Sequence, residues 1–184
     1  NFFHKISIII LFMDKIISLD YLLTNFFDKL IPHNFLFDYF FSFFSLKGAS
    51  IFVWMVIIVL LIIFEEKINK KFILYFLVAL GITSTVVFGL KNTVQRARPT
   101  TVCEKNFSFP SAHAATAFAA ATVLTFFDKK RRWFYYSIAL LIAYSRIYLG
   151  CHYFLDVVAG AALGYIISRL LLFVPDTFPS HRRN

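Results

Sequence analysis

Long apolar runs, broken by short charged stretches, set the pattern of this chain. A helix needs about 20 apolar residues to cross the hydrocarbon core of a bilayer. Residues 46–64, built around IFVWMVIIVLLIIF, and residues 72–90 and 133–149 approach that length almost without interruption. An alanine-rich run covers 112–127, and another apolar run covers 154–174. No water reaches the bilayer interior, so each run must satisfy its own backbone groups as a helix. The pattern predicts an all-α membrane bundle of five spanning helices. Trp54, Trp133, Tyr135 and Tyr136 lie near ends of these runs, where an aromatic belt sits.

The N-terminal stretch admits two readings. Residues 6–13 are apolar but too short to span, and Asp14, Lys15, Asp20, Asp28 and Lys29 interrupt residues 14–30. Ile16, Ile17, Leu19, Leu22, Leu23, Phe26, Phe27 and Leu30 recur at helical spacing. Such a segment is either an amphipathic helix lying on the membrane or a tilted sixth spanning helix that shields its charges against the others. No small-residue cleavage site follows the apolar run, so a signal peptide is not expected. The chain thus divides into a membrane-associated segment (1–45), a transmembrane core (46–176) and a basic tail (177–184).

Composition narrows the class further. Of 184 residues, 59% are hydrophobic and 16% charged, whereas a soluble domain carries about a quarter charged residues. A soluble enzyme, a disordered chain and a disulfide-rich secreted module are excluded. The net charge is +9, from 19 Lys and Arg against 10 Asp and Glu. In a soluble protein that excess would suggest nucleic acid. Here the basic residues gather between apolar runs, so no nucleic-acid partner is expected.

Loop charge gives the topology. Lys67, Lys70 and Lys71, then Lys129, Lys130, Arg131 and Arg132, then Arg182 and Arg183 fall on one side of a five-span chain. The positive-inside rule makes that side cytoplasmic. Loop 91–110 faces outward yet carries Lys91, Arg96, Arg98 and Lys105. No topology rule accounts for that cluster.

Three groups of residues at the outward helix ends carry candidate chemistry. Lys91 and Arg98 are seven apart, about two helical turns, so both can project toward one point before Pro99 turns the chain into a loop. Paired cations outside a membrane suit a phosphate, and arginine adds a forked donor set. Ser111 is placed to cap the alanine-rich helix, whose N-terminus attracts anions, and His113 lies in its first turn. His152 and Asp156 are four apart, which on a helix sets a carboxylate beside an imidazole. That partner fixes the tautomer and raises nucleophilicity. Arg146 supplies one more cation near the same surface.

Lys91-x6-Arg98-Pro99, Pro110-Ser111-Ala112-His113 and Ser145-Arg146-x5-His152-x3-Asp156 together resemble the three-part signature of the type-2 phosphatidic acid phosphatase superfamily. The resemblance covers residues 46–170. It implies a metal-independent, cofactor-free phosphatase acting through a phosphohistidine. By position, His152 would be the nucleophile, Asp156 its orienting partner and His113 the general acid and then base. Lys91, Arg98, Ser111, the Ala112 backbone and Arg146 would hold the phosphoryl oxygens. The family usually has glycine where this chain has Ala112, which implies an ordinary helical φ there.

The resemblance permits phosphatidylglycerol phosphate, phosphatidic acid, undecaprenyl diphosphate or lipid A phosphate as substrate, in a multi-pass inner membrane protein whose site faces outward. The alternatives are phosphotransfer to another lipid from the same phosphohistidine and a non-enzymatic bundle that binds or translocates anions or lipids. Gly160-x3-Gly164 is expected to pack against the smooth alanine-rich helix of the same chain, which favours a monomer. Cys103 and Cys151 both fall in outward loops; a disulfide between them requires an oxidising compartment and stays open.

Overall fold

Among the described residues, seven α-helices follow the apolar pattern of the chain. The computed structural model describes residues 2–45, 49–64, 71–100, 103 and 105–173, and their regular structure is entirely helical. The helices are α1 (Phe2–Asp28), α2 (Phe35–Ser45), α3 (Ala49–Phe64), α4 (Lys71–Val94), α5 (Ala112–Phe127), α6 (Arg132–Tyr148) and α7 (Phe154–Phe173), with a 3-10 turn at Lys129–Arg131. The basic positions Lys67, Lys70, Arg182 and Arg183, and the tail 177–184, lie outside the described residues.

The alanine-rich helix forms the axis. Ala114, Ala115, Ala117, Ala119, Ala120 and Ala121 are fully buried, because their small side chains let α4, α6 and α7 close around α5. On α7, Gly160 lies against the Ser111 backbone and Gly164 against Ala115 and Ala119. A Cβ at Gly164 would collide with the Ala115 carbonyl oxygen, so glycine is what permits this approach. The GxxxG segment therefore packs within the chain. Trp54, Phe72, Phe76, Tyr135 and Ile142 fill the core beside α5, packed with its Leu124.

The outer surface is apolar. Phe52, Phe64, Leu74, Leu77, Phe88, Leu140, Ile166 and Leu170 are exposed on four different helices, far more apolar surface than water tolerates. This is a membrane-associated helical protein. Among the described helices α4 and α7 are long and apolar enough to cross a bilayer, while α3 and α5 are apolar but shorter. At 16 residues each, α3 and α5 reach about 24 Å against a hydrocarbon thickness of about 30 Å.

The first 45 residues form two helices. Pro32 interrupts the helical run, and Asn34 restarts it by accepting the Phe37 amide at 2.9 Å. On α1, Leu11, Phe12, Met13, Leu19, Leu22 and Phe26 face outward, whereas Asp20 and Thr24, one turn apart, are buried against the bundle. The helix thus turns Asp20 and Thr24 to the protein and most of its large apolar side chains away from it. α2 packs on α6, where Tyr148 donates to Asp38 at 2.6 Å and stacks near Phe41.

Candidate active site

Two connections at one end of the bundle, 95–111 and 149–153, bring the sequence-derived residues together. α4 stops at Val94 because Gln95 takes a left-handed conformation with φ 52°, its amide bonded back to the Lys91 carbonyl at 3.0 Å. Lys91 and Arg98 therefore do not converge along one helix face, as their spacing suggested. Lys91 projects from the last turn of α4, and Arg98 is carried back by the loop. The Lys91 ammonium donates to the carbonyls of Phe107 at 2.5 Å and Ser108 at 3.3 Å. Arg98 donates to the Asn106 carbonyl at 2.9 Å, to the Asn106 side chain and to the Cys151 carbonyl at 2.9 Å. The cations thus organise the loop that surrounds them.

His152 sits just outside α7 and is almost completely buried. Its Nε2 lies 2.9 Å from an Arg98 nitrogen. Arginine has no acceptor, so Nε2 must accept, and the neutral ring carries its proton on Nδ1. Nδ1 faces the Ser108 hydroxyl at 3.4 Å and the Asp156 carboxylate at 3.5 Å. Ser108 in turn donates to Asp156. At these lengths the brace on Nδ1 is electrostatic as much as a hydrogen bond. Burial, then the nearby Arg98 and Arg146 charges, outweigh Asp156 and push the imidazole down to about 4. The ring is neutral at physiological pH, with the Nε2 lone pair on the side of the cations.

The His152–Asp156 pair does not lie on a continuous helix. α7 begins at Phe154, and Asp156 in its first turn accepts the Tyr153 amide at 3.0 Å. The spacing of four still places the carboxylate beside the ring because the chain folds over the helix start. Arg146, also buried, closes this connection: its carbonyl takes the Cys151 amide at 3.0 Å and the His152 amide at 3.1 Å.

Ser111 caps α5, accepting the Ala114 amide at 3.4 Å, and its own amide donates to the Asp156 carbonyl at 2.9 Å. Ala112 opens α5 with a negative φ, since Gln95 is the one non-glycine with positive φ among the described residues. His113 is the second residue of α5, half-buried at the same end of the bundle. Cys103 and Cys151 are joined by a disulfide, which ties loop 91–110 to the residue preceding His152.

Three further residues complete the arrangement and were not singled out by spacing. Arg96 donates to Asp156 at 2.6 Å and to Asp20 at 2.5 Å, and its guanidinium lies 4.0 Å over the Tyr153 ring. Asp20 also accepts the Leu155 amide at 2.8 Å, and Thr24 accepts the Phe154 amide at 2.9 Å. α1 thus caps α7 from outside and holds, through Arg96, the carboxylate that faces His152. Ser108 is the third. Two signals were available: Arg96 belongs to the outward basic cluster that topology does not explain, and Asp20 and Thr24 lie one turn apart, where a polar pair beside a bundle needs a partner.

The chain belongs to the PAP2 superfamily: the family model matches residues 72–179. Among its relatives is an undecaprenyl-diphosphatase from Sulfolobus acidocaldarius, 35% identical over 141 residues, 72% of this chain and 68% of the relative. LpxE from Aquifex aeolicus has a similar structure, with a TM-score of 0.69 at 30% identity over 84% of this chain and 94% of that one. A transmembrane PAP2-type phosphatidylglycerolphosphate phosphatase from Bacillus subtilis shares the fold at 24% identity, also with a TM-score of 0.69, over 91% of this chain and 90% of the other.

Proposed function

We propose that this chain is an integral membrane lipid phosphatase that removes a terminal phosphate from a lipid phosphate or diphosphate through a phosphohistidine on His152. The observation that carries the proposal is the geometry at that ring: Nε2 lies 2.9 Å from an Arg98 nitrogen while Nδ1 faces the Asp156 carboxylate at 3.5 Å. Arginine has no acceptor, so this arrangement assigns the proton to Nδ1 and the lone pair to Nε2. An incoming phosphoryl group draws the Arg98 donors onto its oxygens and leaves Nε2 facing phosphorus. Lys91, Arg146, Ser111 and the Ala112 amide at the α5 N-terminus meet the remaining oxygens, so charge in the transition state is met by fixed donors.

In the first step Nε2 bonds to phosphorus as the ester or anhydride oxygen leaves, and His113 supplies the proton to that oxygen. The Nδ1 proton stays on the ring, where Asp156 offsets the positive charge it gains. In the second step water attacks phosphorus, His113 takes the water's proton, and inorganic phosphate departs as Nε2 regains its lone pair. The protein's own cations do what a metal would otherwise do.

The catalytic core is residues 46–176, with 1–45 packed on it as a membrane-associated segment. The site faces the cell exterior or periplasm in a multi-pass inner membrane protein. The disulfide at the site end and the basic turn 129–132 at the other support that orientation. The undecaprenyl-diphosphatase relative supports a lipid diphosphate among the candidate substrates. Purified protein in detergent, assayed with EDTA on a panel of lipid mono- and diphosphates, should release inorganic phosphate from at least one. Transfer of the phosphate to another lipid, with no inorganic phosphate formed, would contradict the hydrolase assignment. Loss of activity on chelation would contradict the metal-free route.

A further inference from the structure

At the end of the bundle opposite His152, a hollow of about 300 Å³ opens between α5, α6 and α7. It lies about 20 Å from the catalytic end, counting 13 residues along α5 from Ala112 to Thr125. Three cations from three separate elements line it: Lys129 on the 3-10 turn, Arg132 at the start of α6, and Arg169 on α7. Thr122, Thr125 and Tyr136 add hydroxyl groups.

Among the described residues, nothing cancels the charge of this hollow. Asp128, the acid adjoining it in sequence, accepts from Arg131 at 2.7 Å and from Tyr135 at 2.5 Å and is committed to them. Among the described residues no carboxylate pairs with Lys129, Arg132 or Arg169. Arg169 is also an unusual residue for its place, since Ser168 is followed by Arg169-Leu-Leu-Leu-Phe at the end of an apolar helix. A charge there is retained at a cost unless a partner meets it. Thr125 reinforces this: its hydroxyl is enclosed and has no partner among the described residues, whereas Thr122 bonds back to the Phe118 carbonyl at 2.7 Å and to Tyr136 at 3.1 Å.

The geometry points to a binding site for the phosphate of an anionic phospholipid in the leaflet opposite the catalytic site. Phosphate chemistry follows from the three convergent cations and the hydroxyl donors. A lipid source follows from the surroundings. Phe126, which lines the hollow, is exposed, as are Trp133 and Leu170, the sequence neighbours of Arg132 and Arg169, and Arg132 lies 5.0 Å over the Trp133 ring. An occupant at this level has its headgroup among cations and its chains along an apolar wall, as basic pockets between membrane helices hold anionic headgroups. The site is separate from the catalytic one and stands or falls independently of it.

Native mass spectrometry of the delipidated full chain in detergent tests this, using phosphatidylglycerol, phosphatidylcholine of the same chain length and inorganic phosphate as probes. Phosphatidylglycerol should remain bound preferentially over phosphatidylcholine. Arg169→Gln should weaken its retention about fivefold or more, the effect of one juxtamembrane cation, and Lys129→Gln on the exposed turn should act in the same direction. His152→Ala should leave retention unchanged. Circular dichroism verifies that each variant keeps its helices. Retention that falls in His152→Ala and persists in Arg169→Gln would place the lipid at the catalytic site and overturn the inference. Equal retention of the two lipids, or binding of inorganic phosphate alone, would overturn it as well.

Discussion

Asp20→Asn is the sharpest perturbation of the catalytic end, because it changes one charge on a helix that contributes none of the signature residues. Asp20 is 1% exposed and bonds Arg96 at 2.5 Å while accepting the Leu155 amide at 2.8 Å. Asparagine preserves the shape and an acceptor for Leu155 but removes the charge that holds Arg96 against Asp156. Breaking a buried ion pair costs about 3–5 kcal/mol. Arg96 is about a quarter exposed and keeps Asp156, so we discount the loss to about 1–2 kcal/mol. Felt in the transition state, that is a drop in kcat of roughly 5- to 30-fold. KM should stay within about twofold, because Lys91, Arg98 and Arg146 are untouched. Steady-state kinetics on a lipid phosphate, with thermal unfolding in detergent, gives both numbers. A folded Asp20→Asn protein with kcat within about twofold of the parent would refute the positioning role. A change confined to KM would refute it too.

Gly164→Ala should lower the thermal midpoint, since its Cβ meets the Ala115 carbonyl and Ala119 amide of α5; overpacking of this kind costs about 1–3 kcal/mol, and an unchanged midpoint would contradict the close α5–α7 approach. His152, held down to about 4, stays neutral where an unfolded chain takes up a proton. Stability should therefore fall as pH drops from about 6.5 toward 4, by up to about 3 kcal/mol. The acid limb of kcat/KM from this group should lie near 4, and Arg98→Gln should move it upward; a limb near 6.5 in the parent protein would contradict the buried, cation-flanked ring. Reduction of Cys103–Cys151, which closes a separation of 48 residues, should remove about 4 kcal/mol of chain-entropy stabilisation, read as a lower midpoint with dithiothreitol and no such shift in Cys151→Ser.

The helices were legible because apolar runs and short charged breaks leave little alternative inside a bilayer. Residues 112–127 and α5 coincide, and 154–174 differs from α7 by one residue. The GxxxG packing was legible for a related reason, since glycine on one helix and alanine on another leave complementary smooth faces. α2 was not foreseen, because FLFDYFFSFFS is short and nearly uniform in aromatic residues, which hides its period. On α1 the apolar positions carried the visible periodicity, yet the buried side is set by Asp20 and Thr24. Arg98 reaches the site through the left-handed Gln95 rather than through helical spacing, a backbone choice that glutamine does not advertise. Arg96, Ser108 and Asp20 meet Asp156 or its partner across 60, 48 and 76 residues of sequence, so only the folded chain brings them together.

The most direct test is to trap the covalent intermediate. Rapid acid-free quenching of the purified protein with a lipid substrate labelled on its terminal phosphate should capture one labelled phosphate per chain. That label should be stable in base and labile in acid, as a phosphohistidine is, and map to the peptide containing His152. His152→Ala should carry no label and release no phosphate. Label on another residue, or wild-type phosphate release from the His152→Ala protein, would contradict the assignment of His152 as nucleophile.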